Sequence, residues 1–499
     1  MCLKSCSWLF YCSILFDLFD FEIPWCYVKN VKEKTGNGLV SHRFGGRLQA
    51  PICCIGRIFY MGVGKTVLQG STVSKNVLPP MPNKPALVLR GEFNGGPATF
   101  GVDEDLISKH MLLVGGTGCG KSTLFYHIIK QLKSKMTADD VMIIFDTKGD
   151  FHSRFFNPSM DCVIGNSTQY YQQSKRWNIF KEILADGWED RQVILNTQEI
   201  CKAFFEERTK NNNNPFFPNA ARDLLAAILI TIVRLGSESK EFVREIFYNG
   251  RFKEYLDSSS GADLCDLLEG YTDMRSVLSY IEGDTAQSQG VLAEMYSVIR
   301  DIFIGVFAES GGFSIRNFVR QKGGRTLFIE YDLSIGSVLT PVYKIMFDLA
   351  LKEALGQAKT KGNVYLICDE FKLLPNLQHI DDGVNFGRSL GVKVFAGLQS
   401  IEQLYEIYGP SRGKNLASGF STIIAFRAND VTTRNYISSL HGQNMVLEQY
   451  RMMDNHTVED KRIGNTVEDW DLNNLRVGEA IVGLPFAPPF RFYFDMYRG

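Results

Sequence analysis

Residues 111–123 read MLLVGGTGCGKST, an apolar run that breaks into glycines and resumes as a helix-forming stretch. The spacing Gly115-x-x-x-x-Gly120-Lys121-Ser122 is that of a phosphate-binding loop, which needs a strand before it and a helix after it. Met111–Val114 reads as that strand, and Ser122–Lys133 carries helical spacing. Glycines let consecutive backbone N–H groups turn inward around phosphate oxygens, where a Cβ would obstruct. The expected cradle comprises Gly115, Gly116, Thr117, Gly118, Cys119, Gly120, Lys121, Ser122 and Thr123. In it Lys121 reaches the β- and γ-phosphates, the Ser122 hydroxyl ligates Mg²⁺, and the helix N-terminus adds a favourable dipole. ATP and Mg²⁺ are therefore the expected cofactors. A similar stretch upstream, Gly62-Val63-Gly64-Lys65-Thr66, fails because Phe59 stands where the first glycine belongs; it reads as a turn.

Further along the chain, Val364–Glu370 (VYLICDE) supplies the second half of an ATPase. A buried strand ends in Asp369, placed to hold Mg²⁺ through water, and Glu370, placed to orient or deprotonate the attacking water. Ile143–Asp150 (IIFDTKGD) competes, because Asp146 also ends an apolar strand. Thr147 follows it where an ATPase wants glutamate, so Asp146 reads as a supporting or structural residue. Gln399 closes the strand VKVFAGLQ and is placed either to sense the γ-phosphate or simply to end a strand. Arg388 and Arg427 are candidates for a finger on a neighbouring subunit's ATP, against the surface salt bridge that is the default for any arginine. The seven histidines show no metal-ligand spacing.

The 499 residues are enough for a large α/β core and a further domain. Apolar residues at 45% and charged residues at 22% are ordinary for a globular protein, and a net charge of −1 marks no globally basic nucleic-acid binder. The cysteine placement, with Cys119 inside the loop and Cys368 before the acids, suits a reducing compartment better than an oxidising one. Ser7–Phe16 is apolar but closes after about ten residues, short of the roughly 20 a bilayer span needs. It reads as a segment docking on the core or a partner, with interfacial membrane contact as the alternative. Leu224–Val233 reads as a helix buried on all sides.

Residues 1–85 read as an irregular N-terminal segment, membrane- or partner-associated, ending in a proline-rich link. Residues 86–180 and 313–499 alternate strand and helix, with strands at 141–145, 326–331, 365–368, 392–396 and 422–426. Such alternation implies a parallel sheet covered on both faces. Residues 181–312 are expected to form an all-α insertion.

The motifs GGTGCGKST, IIFDTKGDF, RWNIF, FSIRNF, ICDEFKLLPNL, GRSLGV, LQSIEQLYEIYG and TIIAFRANDVTTRNYISSLHG occur in this order. The series resembles the type IV secretion coupling proteins of bacterial conjugation, the TraD/TraG group, from about Phe100 to the GEAIVG stretch at Gly478–Gly483. The resemblance implies an α/β fold: a RecA-like P-loop NTPase domain with an all-α insertion, assembling as a homohexamer. It also implies a DNA-translocating ATPase that brings a nicked, single DNA strand and its relaxase to a secretion channel. By the same resemblance Gln399 matches the glutamine of the third motif, and Arg388 the arginine of the GRxxG stretch. The implied partners are DNA, the relaxosome and channel components, and the implied place is the cytoplasmic face of the plasma membrane. Members of that family usually carry an N-terminal transmembrane hairpin, and the first 60 residues here do not supply two spans. A separate membrane-anchored partner or an unusual start are the two readings. Two rival functions stand beside this one: a duplex-DNA pump of the FtsK/HerA type, and a substrate receptor that uses ATP only for assembly.

Overall fold

The computed structural model describes residues 61–238, 246–356, 362–452 and 456–498, all within one compact unit, Tyr60–Gly499. The apolar Ser7–Phe16 segment and Phe59 lie outside the described residues.

The strands, in chain order, are β1 (Met61–Gln69), β2 (Pro85–Phe93), β3 (Gly96–Asp103), β4 (Met111–Val114), β5 (Val141–Asp146), β6 (Cys162–Ile164), β7 (Arg325–Glu330), β8 (Val364–Cys368), β9 (Val392–Leu398), β10 (Thr422–Phe426), β11 (Gln443–Arg451), β12 (Thr457–Asn465), β13 (Glu479–Gly483) and β14 (Phe490–Phe494). The helices that matter most here are α1 (Lys121–Lys135), α2 (Asp190–Asn211), α3 (Phe216–Glu238), α4 (Ala286–Ile302) and α5 (Gly336–Ala354).

An 11-stranded sheet runs in the order β3-β2-β14-β13-β10-β4-β9-β8-β5-β7-β6. From β10 to β6 every pairing is parallel. These strands are buried on both faces, which is why they read as largely apolar runs, Lys393 in β9 being an exception. Alternation divides them between two cores. Met111 and Leu113 of β4 pack with α1 residues Leu124, Phe125, Ile128 and Ile129, whereas Leu112 and Val114 join the opposite core with α3 and α5.

Two features depart from the purely parallel expectation. Antiparallel strands β13, β14, β2 and β3 extend the sheet beyond β10. Residues 62–66, expected as a turn in an irregular segment, lie in β1, which pairs antiparallel with β11 and through it with β12 in a separate three-stranded sheet. The partner strand lies several hundred residues downstream, so no local pattern announces the pairing.

The helical region leaves and re-enters the α/β core at one place. Asn178 N–H donates to the Phe313 carbonyl at 2.9 Å, and Phe313 N–H to that of Arg176 at 3.0 Å. The fully buried Glu182 carboxylate joins both ends, accepting from Trp177 Nε1 (2.9 Å), Ser314 Oγ (2.9 Å) and Ile315 N–H (2.5 Å). Burial pushes its pKa up, and those donors hold it down. Helix α3 is long and apolar enough, by length and composition, to cross a membrane. Here residues 224–233 are all buried, with α3 packed between α2 and α4. Helix α5 fastens this region to the sheet: Lys344 pairs with Glu206 and Lys352 with Glu199, both on α2.

Candidate nucleotide site

The strand order decides what meets at the C-terminal edge of the sheet. β4 ends in the phosphate loop, β8 in the acidic pair, and β9 lies between them. Neighbouring strands stand about 4.8 Å apart, so the end of β9 falls within side-chain reach of both.

The loop itself requires glycine at specific points. Gly115, Gly118 and Gly120 sit at φ +150°, +72° and +115°. A Cβ on Gly115 would come within 2.7 Å of Phe426 Cβ, and one on Gly120 within 3.1 Å of Gly478 Cα. The loop is pinned from both sides: Gly116 N–H donates to the Arg427 carbonyl (2.9 Å), and Gly478 N–H donates to the Cys119 carbonyl (2.8 Å). Lys121 is 7% exposed, and its ammonium donates to the carbonyls of Gly115 (2.6 Å) and Gly116 (3.2 Å).

Ser122 Oγ donates to Asp369 Oδ2 at 2.9 Å. Burial raises the Asp369 pKa, opposed by the Ser122 hydrogen bond and by the charges of Lys121 and Lys148. Gln399 bridges the two halves: its Nε2 donates to both Glu370 oxygens (3.1 and 3.2 Å), and its Oε1 accepts from Thr117 Oγ1 (3.3 Å). Gln399, at the end of β9, thus links loop to acid through its side chain. A cleft of about 280 Å³ is lined by Thr117, Gly118, Gly120 to Thr123, Asp369, Glu370 and Gln399, joined by Lys148, Val477, Gly478, Phe494 and Met496. A separate cavity of about 320 Å³, walled by Lys75, Glu92, Arg476, Glu479 and Arg491 among others, touches no phosphate-loop residue and belongs to a different surface.

Not every expected residue is brought together. Arg388 sits in the turn Gly387–Leu390 that precedes β9, at the opposite edge of the sheet, where it pairs with Asp105 at 2.5 Å. Within one chain it cannot reach the cleft. Arg427 lies beside the phosphate loop of its own chain, its carbonyl accepting from Gly116 N–H. Asp146 turns away from the cleft: Oδ2 accepts from His152 N–H (2.8 Å) and Oδ1 from Lys148 N–H (3.4 Å), and burial pushes its pKa up to about 6. The sequence reading overlooked Lys148, the rim formed by Val477, Gly478, Phe494 and Met496, and Gly397. A Cβ on Gly397 would lie 2.2 Å from the Asp369 carbonyl oxygen. Two of these carried a signal in sequence, since Lys148 lies in IIFDTKGD and Gly478 opens GEAIVG.

Residues 98–471 match the family described as the type IV secretion-system coupling protein DNA-binding domain. Coupling protein TraD of Escherichia coli (strain K12) is 22% identical over 333 residues, covering 64% of this chain. That match spans 42% of the length of TraD. Among solved structures, the unbound bacterial conjugative coupling protein TrwBdeltaN70 superposes with a TM-score of 0.64 at 23% identity, covering 82% of this chain and 89% of that one. TrwB in complex with a non-hydrolysable ATP analogue gives a TM-score of 0.65 at 22% identity, covering 88% and 97%. TrwB is also known with a non-hydrolysable GTP analogue and with ADP and Mg²⁺. The shared fold is the RecA-like nucleotide-binding domain with an all-α domain expected from the motifs.

Proposed function

This chain belongs to the type IV secretion-system coupling protein family, and from that premise we propose that it is an ATP-hydrolysing motor delivering DNA, with its relaxase, to a secretion channel during conjugation. The observation that carries the reading is the bridge from Thr117 through Gln399 to Glu370, beside Ser122 on Asp369. A loop that binds phosphate, a pair of acids and a residue touching both form a cleft in which γ-phosphate chemistry can be felt by a moving strand.

In this reading ATP phosphates lie on Gly115–Thr123, with Lys121 released from its loop carbonyls to the β- and γ-phosphates. The Ser122 hydroxyl and the Asp369 carboxylate, 2.9 Å apart, would hold Mg²⁺, Ser122 as a hard oxygen ligand and Asp369 through water. When bound, the ion offsets phosphate charge. Glu370 orients the attacking water and accepts its proton, held in place by Gln399.

Arg388 is the finger, acting on the ATP of a neighbouring subunit, because its edge of the sheet faces away from its own cleft; the working assembly is a homohexamer. Residues 86–180 and 313–499 act as the motor and 181–312 as the all-α domain carrying relaxosome or DNA contacts. The protein works at the cytoplasmic face of the plasma membrane. ATPase turnover of the full chain, measured with and without single-stranded DNA across protein concentration, tests catalysis, cargo and assembly together. Turnover should rise with both DNA and concentration, and Lys121→Ala should abolish it together with plasmid transfer. Normal transfer by that variant sinks the proposal. Stronger stimulation by duplex DNA points instead to a duplex pump.

A further inference from the structure

The cleft contains a cation that the phosphate loop and acidic pair leave unused. Lys148 belongs to the turn at residues 146–150 (DTKGD) after β5, and it lines the nucleotide cleft. The turn is tightly built. Asp146, 2% exposed, accepts the backbone N–H groups of His152 and Lys148. Gly149 sits at φ +70°, and a Cβ there would come within 2.4 Å of the Tyr170 hydroxyl oxygen. β5 pairs in parallel with β8 up to Phe145 opposite Cys368, so the residues after Phe145 run alongside Asp369 and Glu370.

Position along the sheet edge then sorts the side chains by reach. β8 lies two strands from β4 and β5 lies three, roughly 10 and 14 Å at the usual strand spacing. A carboxylate at the end of β8 meets Ser122 directly. From β5 only a long side chain extends into the cleft, and lysine has a flexible four-carbon stem ending in a point charge. Among the described residues its ammonium makes no hydrogen bond or ion pair, although Asp369 lies close enough to feel its charge.

The electrostatics of the bound state call for such a group. A triphosphate in this cleft sets its terminal phosphate against two carboxylates, Asp369 and Glu370. Lys121 approaches from the loop side. Apart from the Mg²⁺ that Ser122 and Asp369 would hold, Lys148 is the one cationic side chain among the described residues lining the acidic side of the cleft. We propose that Lys148 binds the terminal phosphate opposite Lys121, and thereby makes the cleft prefer a nucleoside triphosphate to a diphosphate. The inference rests on the cleft being the ATP site, and it adds to that site a residue from the turn after β5, which was assigned no part in it.

The test is calorimetric titration of the full chain with a non-hydrolysable ATP analogue plus Mg²⁺ and, separately, with ADP plus Mg²⁺. Lys148→Ala should weaken the triphosphate analogue about tenfold or more, as loss of a charge-assisted phosphate contact does, and leave ADP within about twofold. Lys148→Arg, which keeps the charge, should restore most of the preference. Equal weakening of both nucleotides, as a merely structural turn would give, overturns the proposal, and so does unchanged binding of both. A wild-type chain that binds neither nucleotide instead removes the ATP-site reading beneath it.

Discussion

β5 and β8 are neighbours in the sheet, both fully buried, and each apolar run gives way to an aspartate. Their ends nonetheless do different work. After β8, Asp369 accepts from Ser122 and Glu370 from Gln399, so both acids face the phosphate loop. At the end of β5, Asp146 folds back onto the N–H groups of its own turn and presents Lys148 in its place. An acid that ends a strand is therefore no evidence of catalysis by itself. Its distance from β4, counted in strands, decides whether it can reach a bound nucleotide.

The sharpest way to break this comparison is to neutralise each acid in turn. Glu370→Gln should keep ATP bound and lower turnover by roughly a hundredfold or more, the scale on which a general base contributes. Asp146→Asn should cost less than about tenfold, because that carboxylate shapes a turn and does not act on the water. Comparable losses in single-turnover measurements would erase the distinction between the two strand ends.

A smaller effect comes from the spacing between strands. Gly397 lies on β9 with no room for a side chain, since its Cβ would meet the Asp369 carbonyl oxygen at 2.2 Å and the Phe125 ring at 3.1 Å. Gly397→Ala should push β8 away from β9 and misplace both acids. Overpacking of this kind costs about 1–3 kcal/mol, visible as a lowered unfolding midpoint in denaturant, with turnover falling more than ATP binding. Wild-type stability in that variant would show that the sheet edge yields more easily than its packing implies.

The last effect is a pH dependence specific to the β5 end. Burial raises Asp146 from 3.8 to about 6. Between those values the folded chain holds a proton that the unfolded chain has lost, so this group adds stability as pH falls from 6 towards 4. Above about pH 6 it is charged in both states, and the buried charge opposes folding by roughly 3 kcal/mol. Asn has no such titration. The stability of Asp146→Asn relative to wild type should therefore climb between pH 4 and 6 and level off above, as thermal unfolding at pH 5 and pH 8 would reveal. A difference that stays flat across the window would place Asp146 in a wetter environment than its 2% exposure indicates.

Much of the site was legible because its signals are local. The phosphate loop declares itself through glycine spacing, and β8 through an apolar run ending in two acids. Arg388 was identified by type, but its place at the far edge of the sheet depends on where β9 begins and on Asp105 across from it. The turn expected at residues 62–66 became a strand because β11 lies alongside it. The long apolar stretch within α3 was correctly read as buried, although only packing against α2 and α4 distinguishes such a helix from a membrane span.

Sequence alone determined the chemistry available: a phosphate cradle, two acids, a glutamine, and the strands that carry them, since each depends on residues close along the chain. Tertiary structure decided which of these groups meet. Sheet order sets lateral distance in steps of about 4.8 Å, and that order arises from pairings between distant segments. By that measure Gln399 falls between loop and acid, Asp146 falls out of reach, and Lys148 comes back in.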